Sequence, residues 1–133
     1  MAESLVDIQV EDLKRVELVR VSGRIDSSNA AEFDRVLKEV AGRKHNVVLE
    51  LSGVEYISSA GLRAIHSAYM LLRSADPADA AAATQGIATG AYKSPHLKLV
   101  RPSKNAMRAL STTGYDMFLE IHDTISNAVR SFS

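Results

Sequence analysis

The feature that most constrains the fold is the alternation of short apolar runs with stretches whose apolar residues recur at helical spacing. The run Val47–Leu51 is almost wholly aliphatic, a pattern typical of a strand buried on both faces of a sheet. Before it, Phe33, Val36, Leu37 and Val40 recur at the spacing of one helical face. Strands that alternate with helices predict an α/β fold in which helices cover a largely parallel sheet.

The same patterns predict five strands and four helices in the order β-β-α-β-α-β-α-β-α. Two runs, Val6–Val10 and Val16–Val21, are separated by a short polar break and indicate an antiparallel N-terminal hairpin whose second strand ends at Gly23. We expect Asn29 to begin the first helix, with Glu32 at capping spacing, and Gly42 to end it in the left-handed conformation. The later predicted features are a turn at Ser52-Gly53, a helix from Ser58, a strand at Leu97–Val100, a helix capped by Ser103 and ended by Gly114, a strand at Met117–Ile121 and a helix capped by Asp123.

Composition limits what such a chain can do. The 133 residues fit one domain spanning 1–133, and 16 Lys and Arg balance 16 Asp and Glu. A net charge of zero excludes the strongly basic footprint of a nucleic-acid-binding protein. The absence of Cys excludes disulfide scaffolds, Cys-rich zinc sites and thiol catalysis. The N-terminus lacks a signal-peptide pattern and no stretch is apolar enough to span a membrane, so we expect a soluble, cytoplasmic protein without direct membrane insertion.

Residues 75–91 interrupt the alternating pattern. They hold eight alanines together with Pro77 and Gly86, whereas a compact α/β unit joins a helix to a strand in about 2–6 residues. We therefore predict an Ala-rich insertion at about 75–95 and favour a mobile surface segment. Two alternatives are a helical extension through Ala80–Ala83, because Ala has the best helix propensity, and a partner-binding element.

Enzyme motifs are missing from the sequence. It has no Gly-rich phosphate loop, no dinucleotide-binding G-x-G-x-x-G and no G-x-S-x-G nucleophile elbow. Its four histidines fall in separate elements and share no metal-ligand spacing. We therefore expect no enzyme activity, no metal site and no cofactor.

The most informative stretch places two serines where a loop leaving a central strand becomes a helix. If Ser58 is the N-cap, its hydroxyl accepts a hydrogen bond from an amide of the first turn. Ser59 is then the first helical residue, with its hydroxyl free, and the small Ala60 and Gly61 leave the approach to it open. Amides and the helix dipole favour negative charge there, so this hydroxyl suits a phosphate. The alternative is that Ser59 is only a second residue compatible with a first turn.

Four segments carry a resemblance to a known family. They are Gly23-x-Ile25-Asp26 before a helix, Leu51-Ser52-Gly53-Val54, Ile57-Ser58-Ser59-Ala60-Gly61-Leu62, and Pro102-Ser103 before the third helix. Over roughly residues 5–74 and 96–131 the chain resembles the STAS domain, the sulfate transporter and anti-sigma factor antagonist family. The resemblance implies a STAS-like mixed, largely parallel five-stranded sheet with an antiparallel N-terminal hairpin and four helices. The Ala-rich insertion departs from the family, which usually connects these elements briefly.

The resemblance also implies a phosphorylation site. In anti-sigma factor antagonists of the family, the serine two residues before the Gly-Leu pair is phosphorylated by a partner kinase, and that position is Ser59. The family often has Asp before this serine and Ser after it, where this chain has Ser58 and Ala60. Asp26 matches an acidic loop position near the family's phosphosite, although a cap or turn role is the alternative.

These residues lead to two functional hypotheses. The first is a non-enzymatic regulatory module that docks on a kinase-type anti-sigma factor through Ser59 and the surface around Asp26, Ser58, Gly61 and Leu62. The second is a nucleotide-binding, small-ligand-binding or scaffold STAS subunit of a signalling or transport assembly. The sequence offers no Gly-rich loop or base-stacking aromatic in support of a nucleotide, and it leaves open a weak homo-oligomer.

Overall fold

The molecule contains a five-stranded sheet, in which the strands lie side by side in the order of the sequence. The computed structural model describes residues 6–43, 46–86 and 92–132. Its strands are β1 (Val6–Asp12), β2 (Glu17–Ile25), β3 (Val47–Ile57), β4 (Leu97–Val100) and β5 (Glu120–His122). Its helices are α1 (Ala30–Arg43), α2 (Ser59–Ser74), α3 (Pro77–Gly86), α4 (Lys104–Thr113) and α5 (Ile125–Arg130), with a short 3-10 helix at Tyr115–Met117. None of these helices is long and apolar enough to cross a membrane.

The strand pairing confirms the predicted fold class. The sheet order is β1-β2-β3-β4-β5. β1 pairs with β2 in antiparallel fashion, and each later neighbour pair is parallel. The predicted hairpin followed by a parallel sheet is therefore present.

The core lies on both faces of the sheet because side chains alternate along each strand. Val19 and Leu49 point to the face covered by α1 and α2, where most of the buried apolar residues cluster. Leu18 and Val48, one residue earlier in each strand, belong to a second and smaller cluster with Ala128 of α5. The large cluster holds the start of α2 against the sheet.

Two strands are longer than the sequence predicted. β3 runs unbroken through Ser52 and Gly53, so the predicted turn at Ser52-Gly53 is wrong. β2 continues beyond the predicted end at Gly23 to Ile25 and stays paired with β3, with register shifts on either side of Ser22 and Gly23. Pairing along the full length of the two strands outweighs the local turn preference of Ser-Gly.

Several predicted element ends are also corrected. Gly42 lies inside α1 without a positive φ, so it is not a left-handed stop. Asn29 does not cap α1, because its Oδ1 accepts from the Asp26 amide and its Nδ2 donates to the Arg24 carbonyl. The remaining corrections are that Thr124 rather than Asp123 caps α5, and that residues 115–117 form a 3-10 helix, which leaves Glu120–His122 as the last strand.

Other ends are confirmed. Ser58 caps α2 and Ser103 caps α4, each by accepting from an amide three residues later. Gly114 follows α4 with φ +80° and takes the left-handed conformation that favours glycine.

The Ala-rich segment contains a fifth helix that the sequence left as one alternative. α3 is separate from α2, and its buried residues are Asp79 and Ala83. Residues 87–91, which also belong to the predicted insertion, lie outside the described residues.

Candidate functional site

The carboxyl ends of β2 and β3 bring the two predicted site segments together. Ile25 and Ile57 are paired across the two strands. One residue on, the Ser58 amide donates to the Ile25 carbonyl over 2.8 Å. Asp26 and the start of α2 therefore follow neighbouring strands at the same edge of the sheet.

The two serines at the start of α2 have different surroundings. The Ser58 Oγ accepts from the Gly61 amide at 3.2 Å, and Ser58 is half-buried. Ser59, the first residue of α2, is exposed, and its hydroxyl has no hydrogen-bond partner among the residues that the structure describes. The first serine is engaged in capping, whereas the second is free to react or bind.

The next three residues face the core more than the solvent. A Cβ on Gly61 would lie 2.8 Å from Ile25 Cγ2 and from Ile57 Cγ1, closer than real Cβ contacts. Glycine is needed here so that α2 can approach the sheet. Ala60 is half-buried and Leu62 is 7% exposed, so neither offers much surface to a partner.

Asp26 is engaged in the turn between β2 and α1. Its Oδ1 accepts from both the amide and the hydroxyl of Ser28, and its carbonyl accepts from the Ala30 amide. These two Ser28 hydrogen bonds, helped by the Arg24 charge, hold the pKa of Asp26 below its ordinary value. The contacts are those of the turn role that the sequence left as the alternative, and they keep the carboxylate charged next to the start of α2.

The start of α4 lies beside the site, held there by hydrogen bonds between residues far apart in the sequence. The Ser103 hydroxyl donates to the Val54 carbonyl, and the Asn105 Nδ2 donates to the Glu55 carbonyl at 2.7 Å. Both carbonyls belong to the last part of β3. The first turn of α4 is therefore fixed against the strand that leads into Ser59.

A groove of about 450 Å³ runs between these two helices. It is lined by Ser59, Tyr56 and Leu62 on one side and by Asn105, Arg108 and Thr112 on the other. Among the described residues that line it, Arg108 is the charged one, and its side chain is exposed. A second cation lies close by, since the Arg24 guanidinium sits 4.9 Å from the ring centroid of Tyr56. The groove beside Ser59 is thus suited to an anionic group.

Sequence reasoning missed the α4 side of this groove. Asn105 and Arg108 lie more than forty residues after Ser59 and form no local motif with it. Ser103 was predicted as the cap of α4, but its contact with the Val54 carbonyl was not. Tyr56, an aromatic residue just before the helix, also lines the groove. It could not be recognised as part of a surface site, because its exposure of 41% is visible only in the structure.

The family can now be assigned. Residues 7–76, more than half of the chain, match the family model of the STAS domain. The chain belongs to the STAS domain family. The matched residues include β2, β3 and α2, so they cover both Asp26 and Ser59.

Solved structures show the same STAS fold over nearly the whole chain. An anti-sigma factor antagonist from Mycobacterium paratuberculosis is 23% identical with a TM-score of 0.70, covering 96% of this chain and 93% of that one. The anti-sigma factor antagonist SpoIIAA in its unphosphorylated form is 13% identical with a TM-score of 0.67, covering 92% and 93%. The Bacillus SpoIIAA in its phosphorylated form is 13% identical with a TM-score of 0.64, covering 96% and 100%. No curated protein matches the sequence.

Proposed function

We propose that this chain is a non-enzymatic regulatory STAS module, an anti-sigma factor antagonist switched by phosphorylation of Ser59 by a partner kinase. The observation that carries the proposal is the free hydroxyl of Ser59. It is exposed at the first position of a 16-residue helix, while its neighbour Ser58 supplies the cap. Phosphorylation can therefore change Ser59 without removing an interaction that the fold uses.

Structural relatives support the same role. SpoIIAA, described as an anti-sigma factor antagonist, has been solved in an unphosphorylated and in a phosphorylated form. The proposal carries this behaviour over to the serine that follows the cap of α2. It places the protein in the cytoplasm, with a kinase-type anti-sigma factor as its partner and no nucleic acid.

The local charges support a phosphate at Ser59. A phosphoserine carries about −1.5 to −2 charges at neutral pH, and the N-terminal end of a helix stabilises negative charge. Arg108 lines the groove next to Ser59 and can pair with a phosphate oxygen.

The switch acts at the interface rather than on the fold. In the unphosphorylated form, the partner docks on Ser59, the exposed Tyr56 and the groove lined by Arg108. A phosphate at the centre of that surface adds a desolvation cost and like-charge repulsion with an anionic partner surface. A hundredfold loss of affinity corresponds to about 2.7 kcal/mol, which one buried phosphate can supply.

The primary test is intact-mass analysis of the protein isolated from its own cells. The expected result is a fraction heavier by one phosphate, with the modification mapped to Ser59. Phosphate found only at other residues, or no phosphate under any growth condition, contradicts the proposal.

A binding experiment tests the consequence. Ser59→Asp is expected to weaken binding to the organism's kinase-type anti-sigma factors by about a hundredfold, with an unchanged circular dichroism spectrum. Ser126→Asp, an exposed serine in α5, is the matched control and should leave the affinity unchanged. Equal affinities for the two variants would remove Ser59 from the interface.

A further inference from the structure

A second cavity lies in the part of the chain where the sequence departs from its family. It has a volume of about 610 Å³ and opens between α3 and residues 92–95, which precede β4. Its wall includes Asp76, Asp79, Ala82, Tyr92, Lys93 and Pro95. None of these residues contributes to the groove beside Ser59.

The wall of this cavity contains a buried carboxylate that is only half satisfied. Asp79 is 4% exposed, and its Oδ1 accepts from the Tyr92 hydroxyl at 2.7 Å. Its Oδ2 has no hydrogen-bond partner among the described residues, and the same holds for the buried hydroxyl of Tyr69. A buried carboxylate oxygen without a donor is costly, and such groups in native structures call for an explanation.

The charges around the cavity favour a cation. Asp76 adds a second carboxylate, whose Oδ2 faces the His96 Nε2 at 2.8 Å. Lys93 also lines the cavity, but its ammonium is already engaged, because it donates to the Asp116 carbonyl at 3.0 Å. The last turn of α3 also lines the cavity, and the C-terminal end of a helix attracts positive charge.

The rest of the lining consists of Gln85 and Gly86 at the end of α3 and of three small apolar residues. Ala78, Ala82 and Pro95 contribute methyl and ring carbons without hydrogen-bonding side chains. They leave room for a short aliphatic chain beside the carboxylate. A ligand that fits the cavity would therefore combine a cationic head with a small apolar body.

We propose that this cavity binds a small organic cation, a primary ammonium on a short aliphatic chain, with the ammonium on the Asp79 carboxylate. The Oδ2 atom has almost no exposed surface, so the carboxyl group must turn toward the cavity to meet the ligand. That turn breaks the hydrogen bond from Tyr92, which competes with the ligand for Asp79. The Ala-rich insertion thus gives this chain a ligand site separate from the serine site.

The competition between Tyr92 and the ligand makes the proposal testable with a simple probe. n-Butylammonium chloride is titrated into the ¹⁵N-labelled protein, with n-butanol and sodium butyrate as probes of equal chain length at matched ionic strength. Butylammonium is expected to shift the amide resonances of Ala78, Ala82 and Tyr92 in a saturable manner, whereas the other two probes do not. Equal shifts with butanol, or no saturable shift, would overturn the proposal.

Two variants should change the affinity in opposite directions. Asp79→Asn removes the charge and is expected to weaken butylammonium binding at least tenfold, about 1.4 kcal/mol. Tyr92→Phe removes the competing hydroxyl and is expected to strengthen it several-fold. Asp123→Asn, an exposed carboxylate before α5, is the matched control.

A general loss of structure cannot produce this pair of results. If Asp79→Asn fails to fold, the Tyr92→Phe variant decides alone. The loss of stability expected in α3 when the Tyr92 hydroxyl is removed acts against binding, so stronger binding in this variant cannot come from destabilisation. Unchanged or weaker binding in folded Tyr92→Phe contradicts the proposal, as does unchanged binding in folded Asp79→Asn.

Discussion

The neighbouring helices α2 and α3 are held to the molecule in different ways. α2 buries seven residues. Six of them are glycine, alanine, leucine or isoleucine, and the seventh is Tyr69. α3 buries only Asp79 and Ala83. The attachment of α2 is spread over a wide apolar face, whereas that of α3 depends on a few polar contacts.

Polar attachment is directional and depends on individual bonds. α3 is tied at its start by Asp76, whose Oδ1 accepts from the Ala78 amide and whose Oδ2 faces His96. It is tied in its middle by the hydrogen bond between Tyr92 and Asp79. Because apolar burial is roughly proportional to area, no single contact of α2 has the same importance. We therefore expect α3 to open locally while α2 opens only with the whole domain.

The largest expected effect comes from overpacking the start of α2. Gly61→Val should lower the free energy of unfolding by about 2–3 kcal/mol, because its side chain would overlap Ile25 and Ile57. Urea titration measures the change. Gly42→Ala is the control, since nothing lies within 4 Å of a Cβ at Gly42, and it should stabilise α1 by about 0.5 kcal/mol. A Gly61→Val protein as stable as the wild type would show that α2 is not closely packed on the sheet.

The next effect should be confined to α3. Tyr92→Phe removes the hydroxyl that donates to Oδ1 of the buried Asp79 and should cost about 1–2 kcal/mol. Hydrogen exchange is expected to show faster exchange at the amides of α3, with little change in α2. Equal acceleration in both helices would mean that they open together, and the comparison between them would fail.

A smaller effect separates the two serines of the candidate site. Ser58→Ala should cost about 1 kcal/mol, because it removes the acceptor for the Gly61 amide. Ser59→Ala should change the stability by less than about 0.5 kcal/mol, as expected for an exposed side chain whose hydroxyl has no hydrogen-bond partner among the described residues. Thermal unfolding of both variants measures the difference. A larger loss for Ser59→Ala than for Ser58→Ala would reverse their assigned roles.

The smallest effect is a pH dependence at the start of α3. The hydrogen bond to His96 holds the pKa of Asp76 below its ordinary value. A carboxylate with a lowered pKa in the folded state stabilises it above the unfolded pKa of about 4, and this contribution is lost as the pH falls through the folded value. The amides of α3 should therefore lose protection between pH 5 and about pH 3. In Asp76→Asn the α3 amides should lose less protection over this pH range than in the wild type. An equal loss in both proteins would show that Asp76 does not cause the pH dependence.

The start of α2 could be predicted from the sequence because its determinants are local. The Ser58 cap acts on an amide three residues away, and the exposure of Ser59 follows from its place in the first turn. The α4 side of the groove could not be predicted in the same way. Asn105 reaches the Glu55 carbonyl across fifty positions, and only the folded sheet brings them together.

The errors have a common physical origin. Ser52-Gly53 has the local chemistry of a turn, yet pairing with β2 keeps both residues in a strand. The alanines of α3 gave no apolar face from which to predict its position, because the residue that fixes it is a buried aspartate bonded thirteen positions along the chain. The local sequence determined the conformation where tertiary contacts were few. Strand pairing or a buried polar contact determined it elsewhere, against the local preference.

The order of strands in the sheet, identical to their order in the chain, has a consequence for synthesis on the ribosome. Each strand lies beside the one that was made just before it. A nascent chain can therefore extend the sheet one strand at a time at a growing edge, without waiting for a distant segment to be translated. Contacts between neighbours in sequence also lower the entropy lost on closing each loop and favour rapid folding.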